Sequence, residues 1–168
     1  MFELDQQEVR CTSASTNSEN KGKSEDTRLG MSLYFEFTGP NDLLDKLDPK
    51  LRPALYTRAA EGKQEDMTEH MPDLKFEKFP PLAWPYLGSG YEATIHSELE
   101  FSQTFELDDC KVDKITLTPR DGGVCGYKFR IYFHPELGDV GKLAAMEKHA
   151  VTLTLMPPGI GEEQQKAA

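Results

Sequence analysis

The clearest order in the chain lies between residues 120 and 133, where apolar and polar positions alternate behind a turn. In "VCGYKFRIYF" (124–133), Cys125, Tyr127, Phe129, Ile131 and Phe133 share one face, and Lys128, Arg130 and Tyr132 share the other. A period of two belongs to a strand with one buried face. "CKVDKITLTP" (110–119) comes before it, and Asp121-Gly122-Gly123 lies between the two. Glycine tolerates the left-handed backbone of a tight turn, so the pair reads as a β-hairpin. "GMSLYFEF" (30–37) shows the same alternation, with Met31, Leu33, Phe35 and Phe37 opposed to Ser32, Tyr34 and Glu36. "VTLTLMPP" (151–158) predicts a closing strand with Val151, Leu153 and Leu155 inward, stopped by the double proline. "ATIHSELEFSQTFEL" (93–107) reads as one or two further strands.

Helical signals are short. Asn41 or Asp42 can cap a helix over Leu43, Leu44 and Leu47, which Asp48-Pro49 ends. A second helical stretch from about Lys50 would turn Leu51, Leu55 and Tyr56 to the core, with Pro53 in its first turn and Gly62 near its stop. "DVGKLAAMEKHA" (139–150) predicts a third.

Other stretches break the rhythm. Residues 12–26, rich in Ser, Thr, Asn, Lys and Glu, read as a long mobile polar loop joining an N-terminal strand to the next. "KQEDMTEHMPD" (63–73) reads as exposed linker. "FEKFPPLAWPYLGSGY" (76–91) is too rich in Pro and Gly for regular structure throughout. It reads as an extended segment anchored by Phe76, Phe79 and Trp84, or as an aromatic contact loop presenting Trp84 and Tyr86. Residues 159–168 read as a flexible tail. The alternating βαβ order of a parallel sheet is absent. The expected fold is therefore mainly β, antiparallel and sandwich-like, or α+β with two or three short helices, as a single globular domain over 1–158.

Charge narrows the choice of partner. The 168 residues carry a formal net charge of −10, which opposes sequence-independent binding to duplex DNA. Three cysteines without a Cys-x-x-Cys pair do not form a disulfide framework and fit a reducing, cytoplasmic setting. "MFELDQQEVR" has no apolar signal segment, and no apolar run approaches the roughly 20 residues of a membrane helix. A membrane partner is therefore not expected.

Catalytic signatures are missing. There is no phosphate-binding or dinucleotide glycine pattern, and "GSG" at 88–90 lacks the strand–turn–helix setting of a nucleophile elbow. The four histidines are scattered, without metal-ligand spacing. Asp108, Asp109 and Asp113 group around Cys110, which reads as a solvated strand end, or less simply as a hard-cation site. Lys111 falls on the face opposite Cys110, so no activated thiol is expected. The expectation is a non-enzyme with no cofactor or metal.

Two surfaces remain as candidates. Residues 80–107 hold Glu92, Glu98, Glu100 and Glu106 and no Lys or Arg, and Asp108 and Asp109 extend this stripe. Such a stripe suits a basic protein partner. The outward face of the hairpin carries Lys128, Arg130 and Tyr132, with Lys114 across the turn. A ring for base stacking beside cations for phosphates is the arrangement of a single-stranded DNA binder, although a charged outer face also protects a sheet from edge pairing.

"PNDLLDKLDPKLRPALY" (40–56), "LKFEKFPPLAWPYLGSGY" (74–91) and "LDDCKVDKITLTPRDGGVCGYKFRIYFHP" (107–135) together resemble small accessory proteins of bacteriophages and prophages. The resemblance implies a phage-encoded protein acting in the cytoplasm of a bacterial host cell, and supplies no active site. Two functions fit that setting. One is a non-catalytic accessory protein that binds and modulates or inhibits a host defence or nucleic-acid-handling protein. The other is a single-stranded DNA-binding factor in phage recombination or replication.

Overall fold

The alternation that opens the sequence becomes the centre of a barrel. The computed structural model describes residues 1–19, 28–58, 71–99 and 102–159. Its strands are β1 (Leu4–Glu19), β2 (Arg28–Pro40), β3 (Tyr56–Thr57), β4 (Asp73–Leu74), β5 (Leu82–Ser97), β6 (Gln103–Arg120), β7 (Val124–Phe133) and β8 (Ala150–Met156). Six of them close into a barrel in the order β1-β2-β7-β6-β5-β8, with every neighbouring pair antiparallel. β3 and β4 form a separate two-stranded ribbon. The helices are α1 (Leu44–Leu47), α2 (Leu51–Leu55) and α3 (Val140–Ala144), with 3-10 turns ahead of α1 and α3. The architecture is mainly β and antiparallel with short helices, as the alternation predicts, but the sheet closes on itself into one barrel instead of forming the two packed layers of the expected sandwich. Closure of the sheet removes the exposed edges that an open sheet would leave.

The inward residues of β2, β7 and β8 are those expected. Met31, Leu33, Phe35, Phe37, Cys125, Tyr127, Phe129, Ile131, Phe133, Val151, Leu153 and Leu155 are all buried. Phe129 sits among Phe2, Phe35 and Phe37, at ring-centroid distances of 5.4, 5.8 and 6.3 Å. Leu44, Leu51, Leu55 and Tyr56 join the same core from the helical segment. Tyr56 donates its hydroxyl hydrogen to the Val124 carbonyl (2.6 Å) and accepts from the Arg120 N–H (3.1 Å), tying that segment to the β6–β7 turn. Gly122 and Gly123 take positive φ values of 86° and 72° there. Both of their N–H groups reach the Pro72 carbonyl, at 2.9 and 3.1 Å.

Several expectations need correction. Residues 12–19 belong to β1 and are not loop: they pair with 28–34 of β2. Their Ser and Thr content suits an exposed strand, and the ladder supplies the backbone partners that a loop would seek in water. The remainder of that expected loop, 20–26, lies outside the described residues, as do Gly62, most of the 63–73 linker, and 160–168. From the linker, Asp73 pairs with Thr57. Neither Asn41 nor Asp42 caps a helix with its side chain. Asn41 is buried and donates from its amide to the Met71 carbonyl (2.9 Å). Most of 76–91 is strand, because β5 starts at Leu82 and absorbs its irregular residues as register shifts against β6. Phe76 is 61% exposed and anchors nothing in the core, whereas Phe79, Trp84 and Tyr86 pack against it half-buried. Trp84 lies on β5 opposite Ile115, so Trp84 and Tyr86 are strand residues and not the tips of a contact loop.

Candidate functional site

Alternation fixes what the barrel shows to solvent, and closure decides which strands lie side by side. On β5 the outward positions are Glu92, Thr94 and His96, and on β6 they are Thr104, Glu106 and Asp108. Thr94 opposes Glu106 and His96 opposes Thr104. Between Tyr91↔Cys110 and Ala93↔Leu107 the register shifts, so Glu92 stands opposite both Asp108 and Asp109. Asp109 takes φ 50°, the backbone turn that accommodates the extra residue. Four of the expected acidic residues, Glu92, Glu106, Asp108 and Asp109, thus come together. Glu98 follows β5, with a side chain 88% exposed and 3.9 Å from His96 Nε2. Glu100 lies outside the described residues.

The acidic face extends further than the sequence indicates. β8 pairs with β5 on one side and β1 on the other, placing Thr152 between His96 and Glu8. Asp5 and Glu8, both exposed, continue the face across β8. The segments 4–9, 150–156, 92–97 and 103–109 contain no Lys or Arg. No local pattern could have joined Glu8 to Glu92, because their link is a strand from the far end of the chain.

The opposite outer face, on β2, β7 and late β6, is mixed. Lys128 opposes Glu36 on one side and Thr116 on the other, with its ammonium 3.6 Å from the Glu36 carboxylate. Arg130 forms a two-pronged pair with Asp113, Nε to Oδ1 at 2.7 Å and Nη2 to Oδ2 at 2.5 Å. That contact holds the guanidinium charged and raises its already high pKa. Lys114, at φ 53°, turns its ammonium to the Tyr34 hydroxyl (3.4 Å) and over the Tyr34 ring. The Tyr132 ring lies across Gly30, where an added Cβ would fall 2.0 Å from its hydroxyl, and meets His134 edge-on. Lys114, Lys128, Arg130 and Tyr132 do share one face, but their charges and ring are engaged within the protein.

None of the three thiols is poised as a nucleophile. Cys11, Cys110 and Cys125 are free and buried. Loss of solvation pushes the Cys11 and Cys125 thiols up to about 11. Burial, reinforced by the carboxylates of Asp108 and Asp109, pushes Cys110 up to about 12. Thiols held protonated are poor nucleophiles and metal ligands. Among the described residues, no group of three or more His, Cys, Asp or Glu has the geometry to hold a metal ion, and no helix is long and apolar enough to cross a membrane. Compared with known families, curated proteins and solved structures, the chain matches none.

Proposed function

We propose that this is a non-catalytic binding protein whose acidic outer face docks on a basic surface of a partner protein. The observation that carries the reading is the continuous outward face of β6, β5, β8 and β1, where Asp5, Glu8, Glu92, Glu106 and Asp108 meet no Lys or Arg within their segments. Carboxylates at alternate positions of one strand stand roughly 6.6 Å apart, and neighbouring strands about 4.8 Å apart. A rigid grid of this kind steers a basic partner into encounter and penalises acidic ones. The threonines between the carboxylates supply hydrogen-bonding hydroxyls at the same surface. A basic patch built for nucleic-acid phosphates is the natural complement, so occupying it would displace nucleic acid.

The resemblance to phage accessory proteins supports a bacterial host protein, in defence or nucleic-acid handling, as that partner. The engagement of Arg130 by Asp113 favours this reading over single-stranded DNA binding by the 128–132 face. The test is affinity capture from bacterial lysate with the native protein and with Glu92→Lys/Glu106→Lys. Both positions are exposed on strands, so the variant keeps its fold, which circular dichroism checks. Specific capture by the native protein that weakens with salt and is lost in the variant is expected. Equal capture by both proteins would sink the proposal.

A further inference from the structure

Beside the β6–β7 turn, across β1, β2, β7 and β6, lies a shallow cleft of about 290 Å³. Arg10, Arg120 and Lys128 line it, and Glu36 is its one carboxylate. Strand register explains the convergence. Arg10, Glu36 and Lys128 form one row across β1, β2 and β7, and Thr38, Gly126 and Thr118 form another across β2, β7 and β6. The second row is small, and Gly126 leaves its middle without a side chain. A Cβ added there would lie 3.3 Å from the Thr118 Cβ and 3.8 Å from Arg120 Nη2, so the Arg120 guanidinium stands over the floor of the cleft.

The charges in the cleft are unbalanced. Glu36 answers Lys128 at 3.6 Å, while neither Arg10 nor Arg120 forms an ion pair among the described residues. Concentrating cations around a hollow, in a chain of net charge −10, sets up a repulsion that an oxyanion would relieve. Guanidinium forks match phosphate oxygens in pairs, and the Thr38 and Thr118 hydroxyls are further donors. We propose that this cleft binds the phosphate group of a small phosphorylated ligand. Its volume falls at the lower end of small-molecule sites. A second hollow of about 440 Å³ continues past Arg10, where Gln7, Glu8, Glu36 and Ala150 line it; its two carboxylates keep the phosphate in the first cleft and leave the second to the uncharged organic part of the ligand. A long polyanion is disfavoured by the net charge of the protein. The phosphate-binding cleft shares no residue with the acidic face, and only the second hollow borders that face, at Glu8.

Isothermal titration of the full chain with inorganic phosphate, pyrophosphate and AMP tests the idea, with adenosine as the uncharged control. Binding of pyrophosphate or AMP at about 1 mM or tighter is expected, with none for adenosine. Binding of pyrophosphate alone would assign a bare phosphate site, and tighter binding of AMP would place the organic part in the second hollow. Arg10→Ala and Arg120→Ala, both at exposed positions, should each weaken binding at least about tenfold, as loss of a charge-assisted hydrogen bond does. Gly126→Ala should weaken it by filling the floor. No binding by any phosphate probe, or undiminished binding to Arg10→Ala/Arg120→Ala, would overturn the assignment.

Discussion

Replacing Asp113 by Ala tests how the mixed face is wired. The Asp113 and Arg130 side chains are 17% and 22% exposed, and two charge-assisted hydrogen bonds join them. Exposed ion pairs contribute about 0–1 kcal/mol, whereas stripping one partner from a buried pair costs about 3–5 kcal/mol. This pair lies between those cases, so Asp113→Ala should cost about 2–3 kcal/mol. For a chain of this size that is a fall in Tm of roughly 4–12 °C. Urea denaturation gives the quantity directly if the slope stays constant. The double variant Asp113→Ala/Arg130→Met keeps the packed stem and leaves no stranded charge, so it should regain most of the loss. A second readout is fluorescence anisotropy with a labelled single-stranded oligonucleotide at low salt. Asp113→Ala frees the Arg130 guanidinium and should bind more strongly than the native protein. Should Asp113→Ala stay within about 0.5 kcal/mol of the native protein, the usual scatter of surface substitutions, the pair does not hold in solution and the face is open to phosphates after all.

Other perturbations probe different parts of the molecule. Phe129→Ala removes the ring shared by Phe2, Phe35 and Phe37 and should cost about 3–5 kcal/mol, with Phe129→Leu costing clearly less; equal costs in urea denaturation would refute the cluster. Gly30→Ala drives a methyl into the Tyr132 ring and should destabilise by about 1–3 kcal/mol, and adding Tyr132→Ala should relieve part of that; strictly additive losses would mean that the ring lies elsewhere. Alkaline pH gives a third check. The folded thiols sit at about 11 to about 12, above the ~8.5 of an unfolded cysteine, so their contribution is complete below about pH 8.5. Above it the unfolded chain sheds protons that the folded one keeps, and Tm should fall progressively between about pH 8.5 and 12; a flat profile would contradict the burial. A thiol reagent at neutral pH should label the native protein far more slowly than the urea-unfolded one, and equal rates would count against it too.

How far the sequence reveals the fold depends on where the backbone stays regular. β7 has no register shift against β2, and all five of its predicted inward residues are buried. β1 hides its character because Gln6, at φ 44°, inserts an extra residue and breaks the alternation between Leu4 and Val9. β5 is masked by Pro85, Gly88 and Gly90, which read as breakers but sit where its pairing with β6 shifts. The same limit governs the sites. The acids of β5 and β6 stand close in sequence and are visible as a stripe, whereas Asp5 and Glu8 join them only through β8. Asp113 reads as part of an acidic group near Cys110. Its true partner is Arg130, and the register shift after Asp113 separates that pairing from the Thr116↔Lys128 pairing that follows, which hairpin counting from the turn cannot foresee. Arg10 and Arg120 were invisible as a pair because they lie more than a hundred positions apart and meet across three strand junctions.

The placement of β8 between β1 and β5 has a consequence for how the protein is made. Leu4 pairs with Leu155 and Ala93 with the same residue, so the ring cannot close before Ala150–Met156 has been made. Pairings so distant along the chain form slowly, because loop closure must be met before any contact rewards it. A chain with the other strands paired but β8 undocked would present the β1 and β5 edges unpaired, each a template for a neighbouring molecule. Asp5, Glu8 and Glu92 border that slot. While it is empty their mutual repulsion discourages a second nascent chain bearing the same charges, and the largely uncharged Ala150–Met156 strand is the segment able to fill it.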